Sequence, residues 1–254
     1  MKTIIFYELK EMIRNKWWLG YGLSFFILSS LIFHTGVTES LRASASLLNL
    51  VLLLVPLFSL VFGSISFVEN MPFQEVLLAI PTSRFSIFFG KWLGLSIGLS
   101  LSFVLGMGVS SLWYSVNVVF LMGLGVVLTF IFVSISFLLS NFLKKKELIF
   151  GIVLLIWLLF FLVYDVAIMA IVSLLSDYPL EKLIVLLVFF NPIDVVRTMV
   201  TIQEDLSAMM GYSGALFYKY FGSGMGVSLC GGILILWILF PLILGYWKYK
   251  RKDL

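Results

Sequence analysis

The chain has 254 residues, of which 61% are hydrophobic and only 12% charged, with a formal net charge of +4. Soluble domains carry about 25% charged residues, and a chain of this length cannot enclose so much apolar surface in one core. A soluble fold and a disordered chain are therefore excluded, and continuous rather than alternating apolar runs predict an all-α integral membrane protein instead of a barrel.

The first sixteen residues have helical periodicity, with Ile5, Leu9, Met12 and Ile13 on one side and Glu8, Lys10, Glu11, Arg14 and Asn15 elsewhere. This predicts an amphipathic helix in the cytoplasmic interface. Such a helix either sets topology alone or acts as an elbow that transmits movement of an attached cytoplasmic protein. The first apolar span follows at 17–33. It is long for a secretory signal, and Thr35 to Glu39 make a poor cleavage site, so it is read as retained.

A second span covers 47–68, and the loop from Glu69 to Lys91 after it is amphipathic rather than merely hydrophilic. Pro72 can open a short helix that puts Val76, Leu77 and Ile80 on one side and leaves Glu75 exposed. Pro81 ends it, and Thr82 or Ser83 can cap a second helix running into the third span. The loop reads as a docking knob for a soluble partner or as a surface hairpin without one.

The third span, 92–113, has a small residue at every fourth position: Gly90, Gly94, Gly98, Ser102, Gly106 and Ser110. Such a ridge permits close backbone approach, within the subunit or at a homodimer seam. Gly222, Gly226 and Gly232, around the start of the sixth span, have the same two readings. The fourth span covers 118–139, and the basic knot of Lys144, Lys145 and Lys146 precedes the fifth at 148–175.

Asp165 lies inside the fifth span. It either lines a polar path or pairs with Arg197, or it sits near the outer interface as a solvated structural group. Residues 183–190 are apolar but span only about 12 Å as a helix, too short to cross. Extending them would put Asn191, Pro192, Asp194 and Arg197 into lipid. Pro179 to Met199 is thus predicted to be a helix and break on the outer side, with Asp177 capping it. Met199, Met209, Met210 and Met225 follow, as soft Cu(I) ligands or as adaptable filler. The sixth span covers 226–247.

With both termini inside, cytoplasmic segments hold 13 of the 17 lysines and arginines, and six crossings satisfy the positive-inside rule. The basic balance reports topology, so no nucleic-acid partner is expected. Cys230 and His34 are single, which precludes a disulfide or zinc cluster within the chain. No G-x-x-x-x-G-K-[ST] stretch is present, so no cofactor of its own is expected. A stand-alone carrier would call for paired intramembrane charges or a repeat of broken spans. An intramembrane hydrolase would need a serine beside histidine or lysine, or two close acids. Neither pattern is found.

Six spans, the amphipathic lead-in and the loop Glu75-Val-Leu-Leu-Ala-Ile-Pro81-Thr-Ser83-Arg84-Phe-Ser-Ile-Phe-Phe-Gly90-Lys91 together resemble permease subunits of type-2 ABC exporters, the ABC-2 class. That family's loop reads approximately G-T-L-E-x-L-L-x-x-P-x-S-R-x-x-x-x-x-G-K. Glu75, Pro81, Ser83, Arg84, Gly90 and Lys91 match, whereas Pro72 and Phe73 replace the Gly-Thr pair. The resemblance implies one transmembrane domain over 1–254 and a coupling helix within Glu69 to Lys91. It further implies two copies of a separate ATPase subunit that binds ATP and Mg, a second copy of this chain, and a location in the cytoplasmic (inner) membrane among its lipids.

The stretch Phe190-Asn191-Pro192-Ile193-Asp194-Val195-Val196-Arg197 also resembles the N-P-x-D-x-x-R of NosY-type permeases. These serve the transporter that helps mature nitrous-oxide reductase, implicated in supplying sulfur or copper species, with a periplasmic β-helical partner. The resemblance to ABC-2 permeases at large implies instead export of a lipid, drug or antimicrobial peptide.

Overall fold

The computed structural model describes residues 2–14, 16–35, 40–69, 83–114, 116–143, 145–175, 181–203 and 224–251. Glu75, Pro81, Asp177, Pro179, Met209, Met210 and Gly222, all singled out above, lie outside them. All regular structure among the described residues is helical: α1 (Lys2–Arg14), α2 (Trp17–Thr35), α3 (Ser40–Glu69), α4 (Arg84–Tyr114) and α5 (Val119–Phe142). The chain continues with α6 (Lys146–Leu158), a π-helical turn (Leu159–Val163), α7 (Tyr164–Leu174), α8 (Glu181–Phe189), α9 (Pro192–Gln203) and α10 (Gly224–Lys250).

Six helical stretches among these residues are long and apolar enough to cross a membrane: Trp17–His34, Ser44–Glu69, Arg84–Tyr114, Val119–Phe142, Lys146–Leu174 and Gly226–Lys250. Their order and number match the apolar runs. The third of these stretches, α4, begins eight residues ahead of the apolar run, and Ser83 caps it: the Ser86 amide donates to Ser83 Oγ at 3.1 Å. The expected second helix, capped at Ser83 and running into the third span, is thus present, and residues 84–91 are its first turns, continuous with the span.

Burial divides the bundle into a centre and a rim. The second, third and fourth spans are 56%, 61% and 61% buried, against 22%, 6% and 22% for the first, fifth and sixth. α3 lies along α5, and α2 along α4. Phe25, Phe103, Phe132 and Phe137 are fully enclosed in the centre. The rim keeps its large apolar side chains outward, as helices facing lipid or another subunit do.

The small-residue ridge of α4 faces helices of the same chain. A methyl at Gly94 would meet Glu8 Cβ at 2.7 Å, and one at Gly98 would meet Met12 Sδ, both on α1. Ser102 Oγ donates to the Trp18 carbonyl, and a methyl at Gly106 would collide with the Gly22 carbonyl oxygen on α2. Close approach of α1 and α2 to α4 thus requires these four positions to be small.

Candidate functional site

Two groups of polar side chains are held by this frame, one at each end of the bundle. At the end formed by the start of α4 and the close of α10, Ser83 opens α4 and directs Arg84 back over α10. Arg84 Nη1 donates to the Lys250 carbonyl at 2.8 Å, one of the last-turn oxygens that an α-helix leaves without an internal partner. Beneath it, Phe88 is enclosed by Phe67, Phe137, Tyr246 and Tyr249, so the start of α4 and the end of α10 share one aromatic cluster.

Two turns further along α4, Lys91 is buried and its ammonium lies 3.4 Å from Glu8 Oε1 of α1. Burial pushes the Glu8 carboxyl above its ordinary range, while Lys91 pulls it back toward the charged form. The amphipathic periodicity sets Glu8 apart from the apolar side that holds Ile13; here Glu8 is only 8% exposed, whereas Ile13 is 63% exposed. The reason is electrostatic: a lysine buried on α4 needs a counter-charge, and α1 turns Glu8 toward it. Gly90 is buried next to this pair, and Glu69 ends α3 exposed. Among the loop residues singled out, Arg84 and Lys91 therefore engage other helices of the chain, and Ser83 caps the helix that carries both.

At the opposite end, α8 and α9 meet at 113°, the expected helix and break. Asn191 is the pivot and is fully buried. Its Oδ1 accepts from the Ile193 amide at 3.0 Å, capping α9 ahead of Pro192 in the first turn. Its Nδ2 donates to Asp194 Oδ2 at 2.9 Å and to the Phe160 carbonyl at 2.8 Å. Phe160 lies in the π-turn of the fifth span, whose altered ladder frees a carbonyl for an outside donor. The end of α8 takes two further side-chain donors: Tyr164 Oη donates at 2.6 Å to Leu187 O, which also accepts from the Phe190 amide, and Trp237 Nε1 donates to Phe189 O at 3.1 Å.

Asp194 and Arg197 share one face of α9, and Arg197 Nη1 lies 3.0 Å from Asp194 Oδ1 and 2.7 Å from Asp165 Oδ2. The structure thus brings together Asp165, Asn191, Asp194 and Arg197, with Pro192 in the intervening turn. The Arg197 and Asp165 side chains retain 23% and 31% of their exposure, so the pair is reached by solvent, while Asp194 retains only 7%. Two carboxylates share one guanidinium, which leaves the group with a net negative charge when both are ionised. The π-turn, Tyr164 and Trp237 were not marked by the sequence: Leu159–Val163 is uniformly apolar, and no spacing distinguishes these two aromatic side chains from the other membrane-facing ones.

Set beside known proteins, residues 3–254 match the family described as ABC-2 family transporter protein. The chain belongs to the ABC-2 transporter family. It is accordingly a multi-pass membrane permease. Two relatives match it end to end, each described as a probable ABC transporter permease protein NosY. The one from Stutzerimonas stutzeri is 26% identical, covering 96% of both chains. The one from Pseudomonas aeruginosa is 29% identical, covering 99% of this chain and 98% of the relative. The expectation of an ABC-2 permease similar to NosY is met, and both polar groups described above lie inside the matched region.

Proposed function

We propose that this chain is the membrane subunit of an ATP-driven exporter in which hydrolysis occurs on a separate ATPase, present in two copies and binding ATP with Mg. The end-to-end likeness to permeases described as NosY carries this reading. Two copies of the chain form the membrane part, and the basic end with both termini faces the cytoplasm across the inner membrane. The ATPase docks on the loop from Glu69 to Lys91, through Glu75 and Pro81.

Closure of the ATPase pair shifts that loop, and the side chains at its end divide the movement. Arg84 carries it to α10, and Lys91 carries it through Glu8 to the elbow helix α1. The fifth span leads from the cytoplasmic end to Asp165, and the pair with Arg197 transfers displacement to the broken helix outside. This is an alternation between two packed arrangements, driven by differential contacts with the ATPase.

The work performed is maturation of a periplasmic metal centre, the copper site of nitrous-oxide reductase, through a sulfur or copper species and a periplasmic β-helical subunit. In a host that carries the reductase, deleting this chain should yield reductase protein lacking its copper centre. Fully copper-loaded reductase in the deletion strain would overturn that role.

A further inference from the structure

α5 closes at Phe142, and residues 143–145 join it to α6, which opens at Lys146. α10 closes beside the same point, since the Lys248 ammonium lies over the Phe142 ring, 5.4 Å from its centroid. The neighbouring Trp247 carries the Arg251 guanidinium on its face at 3.8 Å. Both rings are exposed, as are Lys145, Lys146, Lys248 and Arg251. The stretches 140–150 and 245–254 together hold seven lysines and arginines against Glu147 and Asp253. Among the described residues, none of the four cations just named is ion-paired. Deeper along the same two helices, α10 exposes Phe240 and Ile243, and α6 exposes Leu154 and Leu155.

We infer that this corner binds an anionic phospholipid, with its phosphate among Lys145, Lys146, Lys248 and Arg251 and its chains along α6 and α10. Stacking uses only the face of the Arg251 guanidinium, so its N–H edge stays free for a bidentate bond to phosphate. The Phe142 and Trp247 rings hold the two α10 cations where the spans leave hydrocarbon, the depth of a lipid headgroup. Charge sets the choice of lipid. Each lysine or arginine at the surface favours an anionic headgroup, whereas a zwitterionic one brings its own ammonium against them. Orienting a span requires positive charge near its end, but not rings beneath that charge or two helices converging on one point. The site lies within one chain and does not depend on the transport reading.

The test is native mass spectrometry of the purified full chain from mixed micelles holding equal phosphatidylglycerol and phosphatidylcholine with identical acyl chains. One phosphatidylglycerol per chain should be retained in clear preference, and excess inorganic phosphate, which has no chains, should not displace it. Lys145→Gln with Lys146→Gln, and separately Lys248→Gln with Arg251→Gln, each remove two exposed charges. Either pair should lower that preference about tenfold or more, since each cation near an anionic headgroup contributes about fivefold. Lys10→Gln with Arg14→Gln removes as much charge from the exposed side of α1 and should leave the preference unchanged. Equal retention of both lipids, displacement by phosphate, or a loss in the α1 variant equal to that in the other two would overturn the assignment. So would full preference in both of those other variants, which, with weaker ATPase binding, would give the patch to a protein partner instead.

Discussion

Asp165 of the fifth span and Arg197 of the broken helix meet at 2.7 Å, across 32 residues of sequence. The same guanidinium nitrogen reaches Asp194, and Asp194 in turn accepts from Asn191. A chain of polar contacts therefore runs from the π-turn through the break to α9. Because Asp165 and Arg197 are partly exposed, their direct coupling is modest, and a double-mutant cycle with Asp165→Asn and Arg197→Gln should give about 1 kcal/mol or less. A coupling of several kcal/mol would mean that the pair is buried in the working assembly.

Asn191 should be far less replaceable than that ion pair. Its side chain caps α9, holds Asp194 and takes the Phe160 carbonyl, all from a fully buried position. Asn191→Ala removes a cap worth about 1 kcal/mol and strands a buried carbonyl at about 1–3 kcal/mol more. Thermal unfolding in detergent should show a loss in that range. Asn191→Ser keeps the capping oxygen and should recover part of it; a serine variant no better than alanine would refute the capping role.

At the other end, Lys91 and Glu8 form the buried pair. Removing one partner strands a charge, so Glu8→Gln or Lys91→Met alone should destabilise by about 3–5 kcal/mol. The double variant Glu8→Met with Lys91→Met should recover most of that loss, since a well-packed apolar pair can replace a buried ion pair. Additive losses in the double variant would show that the two residues act independently.

Gly106 and Gly232 provide a matched comparison on two spans. A methyl at Gly106 runs into the Gly22 carbonyl oxygen, whereas one at Gly232 meets nothing within 4 Å. Gly106→Ala should cost about 1–3 kcal/mol through overpacking of α2 on α4. Gly232→Ala should be neutral or stabilising by up to about 1 kcal/mol, from better helix propensity. Equal unfolding temperatures for the two variants would contradict the packing described.

The spans were legible because lipid demands uninterrupted apolar runs, and composition alone reveals those. The break at Asn191 was legible for the same reason inverted: Asn191, Pro192, Asp194 and Arg197 are too polar to continue a crossing. Pairing of Asp165 with Arg197 was one of the options raised, since a charge among apolar residues needs a partner. Glu8 was misplaced because its partner Lys91 is 83 positions away, and helical periodicity on one segment cannot register a distant counter-charge. The π-turn left no trace in Leu159–Val163, where every side chain is apolar; its bonding partner Asn191 lies 31 residues away, at the break before α9. Arg84 matched a loop motif, but its bond to the Lys250 carbonyl depends on where α10 ends, which local sequence does not encode.

Arg84 also separates docking from transmission. Arg84→Ala should leave the chain inserted and bound to its ATPase, while reducing permease-stimulated ATP hydrolysis severalfold, because the link to α10 is lost. Glu75→Ala should weaken ATPase binding itself. Wild-type hydrolysis in the Arg84 variant would remove Arg84 from the transmission route.

The central claim, that this chain works with a separate ATPase, is tested most directly by purifying the tagged protein from its native membrane in gentle detergent and identifying what stays bound. The account predicts a P-loop ATPase in equal amount with the chain, accompanied by a periplasmic β-helical protein. A chain that emerges repeatedly alone, and onto which no ATPase can be reconstituted, would contradict it.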